Sequence, residues 1–161
     1  MTTVHLDSEL RRHQIVQTAR KIVATHGMAS LTIQELAREV GVSEGAIYRH
    51  FKSKDDILLV LIQEIERNLL DIISDSARPH EGAMGQLKHL FQRHFAVSER
   101  RNGVSFVIVS EALRFADLQV RQATRVMVEH YLEVVGSIFK RAAADGEIDK
   151  NVDTKAAALM F

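Results

Sequence analysis

The sequence predicts an all-α fold, and three observations carry that prediction. Proline occurs once, at Pro79, and aromatic residues make up only 6% of the chain. Ala, Leu, Glu, Arg and Gln, which lose little side-chain freedom in a helix, are used heavily throughout. Apolar residues recur at helical spacing in stretches separated by glycine-marked turns.

At 161 residues the chain can bury one substantial core, or join a small module to a larger one. Cysteine is absent, which excludes a disulfide framework, a thiolate metal site and a cysteine nucleophile. The opening "MTTVHLDSELRRHQ" has no apolar stretch of signal-peptide length, and the longest apolar run, "ILLVLI" from Ile57, is far too short to span a bilayer. These features lead us to expect a cytoplasmic protein with no membrane partner.

Taken in order, the first helix is expected from Ser8 to His26, where Leu10, Ile15, Ala19, Ile22 and Val23 share a face and Gly27 sits at a left-handed cap position. In "SLTIQELAREVG", Thr32 and Glu35 have capping-box spacing, so a second helix should run from about Ile33 to Val40 and close on Gly41. Ser43 caps a third helix of two turns, with Glu44 at the positive end of its dipole. Ser53 and Asp56 open a fourth, which continues to about Ser76, its apolar residues covering most of the circumference near Ile57 to Ile62. "SARPHEG" breaks the pattern at Pro79 as a short connection. Further helices follow at roughly 82–100, 103–116 and 118–144, the last closed by Gly146. Asp153 caps one more, beginning "TKAAALMF". The chain stops at Phe161 in mid-pattern, and the natural protein is expected to continue.

Within "IQELAREVGVSEGAIYRH", Ala37, Gly41 and Ile47 stand in a fixed relation. A helix-turn-helix needs a small residue where its helices cross, a glycine in the turn and an aliphatic anchor under the second helix, and these residues supply them in order. At 100° per residue the third helix seats itself through Ile47 and Phe51. Gly45 and Arg49 then face the other way, flanked by Ala46 and Tyr48. Small residues at its N-terminal end would let the backbone approach base edges in a major groove. Thr32, Ser43, Tyr48, His50 and Lys54 are candidate phosphate contacts. Glu44 is the awkward member, to be turned to solvent or to accept from a cytosine amino group.

The stretch "IVQTARKIVATHGMASLTIQELAREVGVSEGAIYRHFKSKDDILLVLI", from Ile15 to Ile62, resembles the tetracycline-repressor (TetR) family of bacterial transcriptional regulators. Its carriers are the His-Gly end of the first helix, Thr32-Ile33 at the start of the second, and Gly-Val-Ser-x-Gly-x-Ile-Tyr-x-His-Phe-x-x-Lys. The resemblance implies a helix-turn-helix DNA-binding domain at 1–52 and a helical effector-binding and dimerisation domain at 53–161, incomplete at its C-terminus. It also implies a homodimer formed through C-terminal helices, usually a repressor, which a small effector releases from double-stranded operator DNA. By position Thr32, Ser43, Gly45, Ala46, Tyr48, His50 and Lys54 match the family's DNA-contacting pattern, and Arg49 occupies a variable contact position. No cofactor is implied.

Charge alone says little. The first 56 residues hold eight Lys/Arg against seven Asp/Glu, a net of +1. The eight histidines form no HxxxH or HExxH pattern, so no metal site is expected. Neither a Ser/His/Asp order nor a glycine-rich phosphate loop is present, so no enzyme is expected. In the C-terminal part, Phe91, Phe95, Phe106, Val109, Met127, Tyr131 and Val134 could line a small, largely apolar effector's cavity or simply pack as core. His94 and Glu111 are among the polar groups that could orient such a molecule. The rival reading is a helical protein-interaction module that keeps the helix-turn-helix shape without binding DNA.

Overall fold

A computed structural model describes residues 2–77 and 81–161, with the side chains of 2–7 and of Phe115 outside that description. Among the described residues all regular structure is helical. The first helix, α1, is Thr2–His26. It begins six residues before the expected Ser8, since neither glycine nor proline interrupts that stretch. Leu10 is exposed and lies outside the core, whose stripe on α1 starts at Ile15 and Val16. Gly27 has the positive φ that favours glycine, but its ψ of 170° is not the left-handed cap expected. It leads the chain out of α1 directly into a 3₁₀ turn, Met28–Ser30.

Helix α2 is Ile33–Val40. The Thr32 hydroxyl accepts from the Glu35 amide at 3.1 Å, which is half of the expected capping box. The other half is missing because the Glu35 carboxylate is taken by Arg38, at 2.9 and 2.5 Å, and the Thr32 amide bonds to Ser30 O instead. Gly41 adopts φ 77° and ψ 37°. Its amide and that of Val42 reach back to Arg38 O and Ala37 O, the paired bonds of a Schellman close.

Helix α3, Glu44–Tyr48, is shorter than the expected two turns, although turn bonding from His50 and Phe51 to Ile47 O extends it irregularly. Helix α4 is Lys54–Ser76. Its start is reciprocal: Ser53 Oγ accepts from the Asp56 amide at 3.2 Å, and Asp56 accepts from the Lys52 amide at 2.7 Å. Ile57, Leu58, Leu61 and Ile62 are buried while Leu59 and Val60 are half-buried, so burial around this helix is uneven. The expected break at Pro79 lies outside the described residues.

Beyond it run α5 Gly82–Arg100, α6 Val104–Phe115, α7 Leu118–Ala144 and α8 Thr154–Met160. Gly146 closes α7 with a second Schellman pair, and the Asp153 carboxylate accepts from the Lys155 and Ala156 amides to start α8.

The helices form two compact units, the first from Met1–Glu64 with Arg101–Thr124, the second from Ile65–Arg100 with Arg125–Phe161. In the first, Ile15, Ala19, Ile22, Leu36, Ile47, Phe51, Ile57 and Leu61 are buried, as are Val104, Ile108 and Ala112 of α6. Helix α6 packs on α1 and on the 3₁₀ turn. In the second, Ile72 and Ile73 meet Leu87 and Leu90 of α5, Val135 and Ile138 of α7, and Ala158 of α8. A remote carboxylate caps α5: Glu147 accepts from the amides of Ala83 at 2.8 Å and Met84 at 3.0 Å. Gly82 is required there twice over, by its φ of 66° and because a Cβ would lie 2.7 Å from Glu147 Oε1.

Candidate nucleic-acid interface and effector region

Helix α3 is too short to persist alone, so packing must hold it. Ile47 is fully buried and Phe51 nearly so, while Ala37 is buried beneath the turn. The Ser43 hydroxyl accepts from the Ala46 amide at 3.3 Å and fixes the helix start. With those anchors inside, Gly45, Tyr48 and Arg49 are exposed, and Ala46 and His50 are half-buried beside them. A Cβ added at Gly45 would meet only Ser43 Oγ, at 3.9 Å, so that side of the helix is open.

Thr32 and Ser43 are exposed at the starts of α2 and α3, and Lys54 is half-buried at the start of α4. As cap acceptors, both hydroxyls keep a proton to donate to an outside oxygen. Glu44 is exposed in the first turn of α3.

The cations of this region fall into two groups that net charge conceals. Arg20 is paired with Glu64, Arg38 with Glu35 and Glu39, and Lys21 with Glu39. Arg38 donates to Glu35, which holds that carboxyl below its usual range and Arg38 above its own. Among the described side chains no carboxylate pairs with Arg49, Lys52 or Lys54. The cations outside those ion pairs therefore include Arg49 at the end of α3 and Lys54 at the start of α4, whose first turn also carries Asp55 and Asp56.

Arg12 was not singled out by sequence reasoning. Its guanidinium lies 4.3 Å from the centre of the Phe51 ring and donates to His50 O at 2.9 Å. The signal was its position one helical turn before Ile15, which places it on the buried side of α1.

The effector candidates divide between the units. Phe106, Val109 and Glu111 lie on α6 in the first, Phe106 exposed and the other two half-buried. The rest are in the second unit, where Met127 is buried and Val134 half-buried. Phe91 and Phe95 are more than half exposed, their rings 6.5 Å apart, and Phe91 meets the edge of Phe161 at 6.0 Å. His94 and Tyr131 are joined, Nδ1 to the phenol oxygen at 3.0 Å, across α5 and α7. Burial pulls His94 below its ordinary value and pushes the Tyr131 phenol up to about 12, so both are neutral near pH 7. Sequence reasoning missed an open groove of about 570 Å³ along α7 and α8, lined by Glu129, Leu132, Glu133, Gly136, Lys140 and Leu159 among others. None of the effector candidates lines it.

Among the described residues no group of three or more His, Asp or Glu could hold a metal ion, and no helix is long and apolar enough to cross a membrane.

Comparison with known proteins fits this geometry. Residues 15–61 match the family of bacterial regulatory proteins, tetR family, and residues 62–161 match the family described as YsiA-like protein, C-terminal region. The fatty acid metabolism regulator protein of Bacillus subtilis is 26% identical over 148 residues, covering 92% of this chain and 76% of that protein. The nucleoid occlusion factor SlmA of Vibrio cholerae is 29% identical over 147 residues, 88% of this chain and 75% of that one. The structure of FadR from Bacillus subtilis in complex with stearoyl-CoA superposes with a TM-score of 0.75 at 27% identity, covering 92% of this chain and 79% of that one. A tetR-family regulatory protein from Rhodococcus shares the fold at a TM-score of 0.82, with 23% identity, 93% of this chain and 78% of that one covered. The chain belongs to the tetR family of bacterial regulatory proteins and is a ligand-responsive, DNA-binding regulator of transcription.

Proposed function

We propose that α3 enters the major groove of an operator, with Gly45, Ala46 and Arg49 toward base edges and Thr32, Ser43, Tyr48, His50 and Lys54 on phosphates. The observation that carries this reading is the orientation of α3. Ile47 and Phe51 are buried, and that leaves Gly45, Tyr48 and Arg49 on the open side. On this reading the DNA-binding part spans residues 1–52 and the effector-binding and dimerising part 53–161. A homodimer would present two such helices about 34 Å apart, one helical turn of DNA.

The effector is a small, largely apolar molecule, and a long-chain acyl thioester is the first to test. Support comes from the fatty acid metabolism regulator and from the stearoyl-CoA complex of FadR, both similar over most of this chain. His94 and Tyr131, neutral and hydrogen-bonded to each other, would suit a carbonyl better than a free carboxylate. To empty an operator from near saturation, the effector must prefer the non-binding state by about 5.5 kcal/mol. Helix α6, which carries the candidates Phe106, Val109 and Glu111, packs directly on α1.

The test is a titration of stearoyl-CoA, with stearate and free CoA as controls, into the protein bound to a labelled duplex selected from a random-sequence library. Release by the thioester alone is expected. A duplex affinity that does not fall with salt overturns the DNA reading, and indifference to every acyl-CoA overturns the effector reading.

A further inference from the structure

We propose that Arg12 of α1 is a positioning residue for DNA binding, holding the C-terminal end of α3 by a cation–π contact with Phe51 and a hydrogen bond to His50 O. Helix α3 has no glycine cap: Arg49, at its end, keeps right-handed helical angles, and the amides of His50 and Phe51 both turn back to Ile47 O. The carbonyl of His50 is thereby left at the negative end of a short helix, where a cation is favoured. The Arg12 guanidinium occupies that place, donating to His50 O at 2.9 Å while its Cζ lies over the Phe51 ring, 4.3 Å from the centre.

The two contacts act on consecutive residues and leave the end of α3 little freedom. Phe51 is the buried anchor of the turn, and His50 is one of the proposed phosphate contacts. Lys54 follows at the head of α4. Among described side chains no carboxylate competes for Arg12, so its guanidinium is committed to this joint. Lysine could keep the charge but not the arrangement, because a compact ammonium lacks the spread of N–H donors that lets one guanidinium sit over a ring and still reach a carbonyl.

The assignment is tested with Arg12→Lys and Arg12→Met in the full chain, each compared with wild type at a temperature where all three are folded. Duplex affinity, its salt dependence and amide exchange at Ile47 to Phe51 are the readouts. For Arg12→Lys we expect affinity to fall about tenfold on every sequence, with the salt slope unchanged, and α3 amides to exchange about tenfold faster while α2 amides do not. A lysine variant that binds and exchanges like wild type overturns the proposal, because charge alone then suffices. If Arg12→Met lowers the salt slope by about one unit while α3 exchange is unchanged, Arg12 is a phosphate contact and the positioning role fails. Accelerated exchange with unaltered affinity also overturns it, since the joint would then serve stability alone. The role rests on the reading of α3 as the DNA-facing helix. If wild type binds no duplex, that reading fails, and the exchange data show separately whether the joint exists.

Discussion

The helix-turn-helix and the second unit distribute apolar and polar side chains in opposite ways. Around α3 the large apolar groups Ile47 and Phe51 are inside while Arg49 is outside. On α5, Phe91 and Phe95 are more than half exposed while His94 between them is half-buried against Tyr131. The first pattern is a surface completed by the chain's own short-range packing. The second leaves aromatic area open to solvent and draws polar groups inward, the arrangement of a region adapted to a partner or a ligand.

If local packing alone orients α3, removing its anchor should have the largest effect in the molecule. Ile47→Ala, at a fully buried site, should cost about 2–5 kcal/mol and abolish duplex binding with it. Urea denaturation followed by circular dichroism checks the first, and a loss under 1 kcal/mol would show that α3 is held by something else.

The second unit relies on a long-range staple instead. Glu147→Ala leaves the first amides of α5 without their acceptor and should cost about 1–2 kcal/mol. Gly82→Ala strikes the same joint from the other side, and the double variant should be clearly less destabilised than the sum of the two singles. Simple additivity would mean that Glu147 and Gly82 act independently.

These two joints also mark how far the sequence could be read. Thr32, Gly41 and Ser43 announce their roles within a few positions, because caps and left-handed turns are decided by neighbours in the chain. Helix limits beyond residue 82 followed from the same signals. Gly27 misled because positive φ is shared by two backbone conformations, and only the following 3₁₀ turn selects between them. Glu35 misled because Arg38, on the same helix, competes for its carboxylate. Glu147 and Arg12 were invisible for a different reason: their partners lie 64 and 38 residues away, and no local pattern encodes such a meeting. In the same way, zero net charge hid which cations are neutralised by carboxylates and which are left for a partner.

That separation of cations gives a smaller effect with a clear signature. Lys54→Ala should weaken binding several-fold on all sequences and lower the salt slope by about one unit. Arg38→Ala, at a cation already paired with Glu35 and Glu39, should leave the slope unchanged. Equal slopes for the two variants would remove the distinction between paired and unpaired cations. Arg49→Ala should instead change which sequences are preferred, which selection from a random duplex library reads directly.

The smallest effect concerns the polar pair of the second unit. Burial holds the His94 imidazole below its ordinary value of 6.5, so the folded protein takes up that proton at lower pH than the unfolded chain does. The contribution is therefore fully present above the unfolded value and is lost as pH falls through the folded one, and melting temperature should decline on acidification from about pH 6.5. His94→Gln removes the titrating group and should flatten that part of the decline. Tyr131 changes nothing in this window, because burial pushes its phenol up to about 12 and it stays neutral throughout. Melting curves of wild type and His94→Gln between about pH 7 and pH 5 make the comparison. Parallel declines would mean that His94 is solvated enough to titrate alike in both states, and the polar pair would then lose its claim to be an interior, ligand-orienting feature.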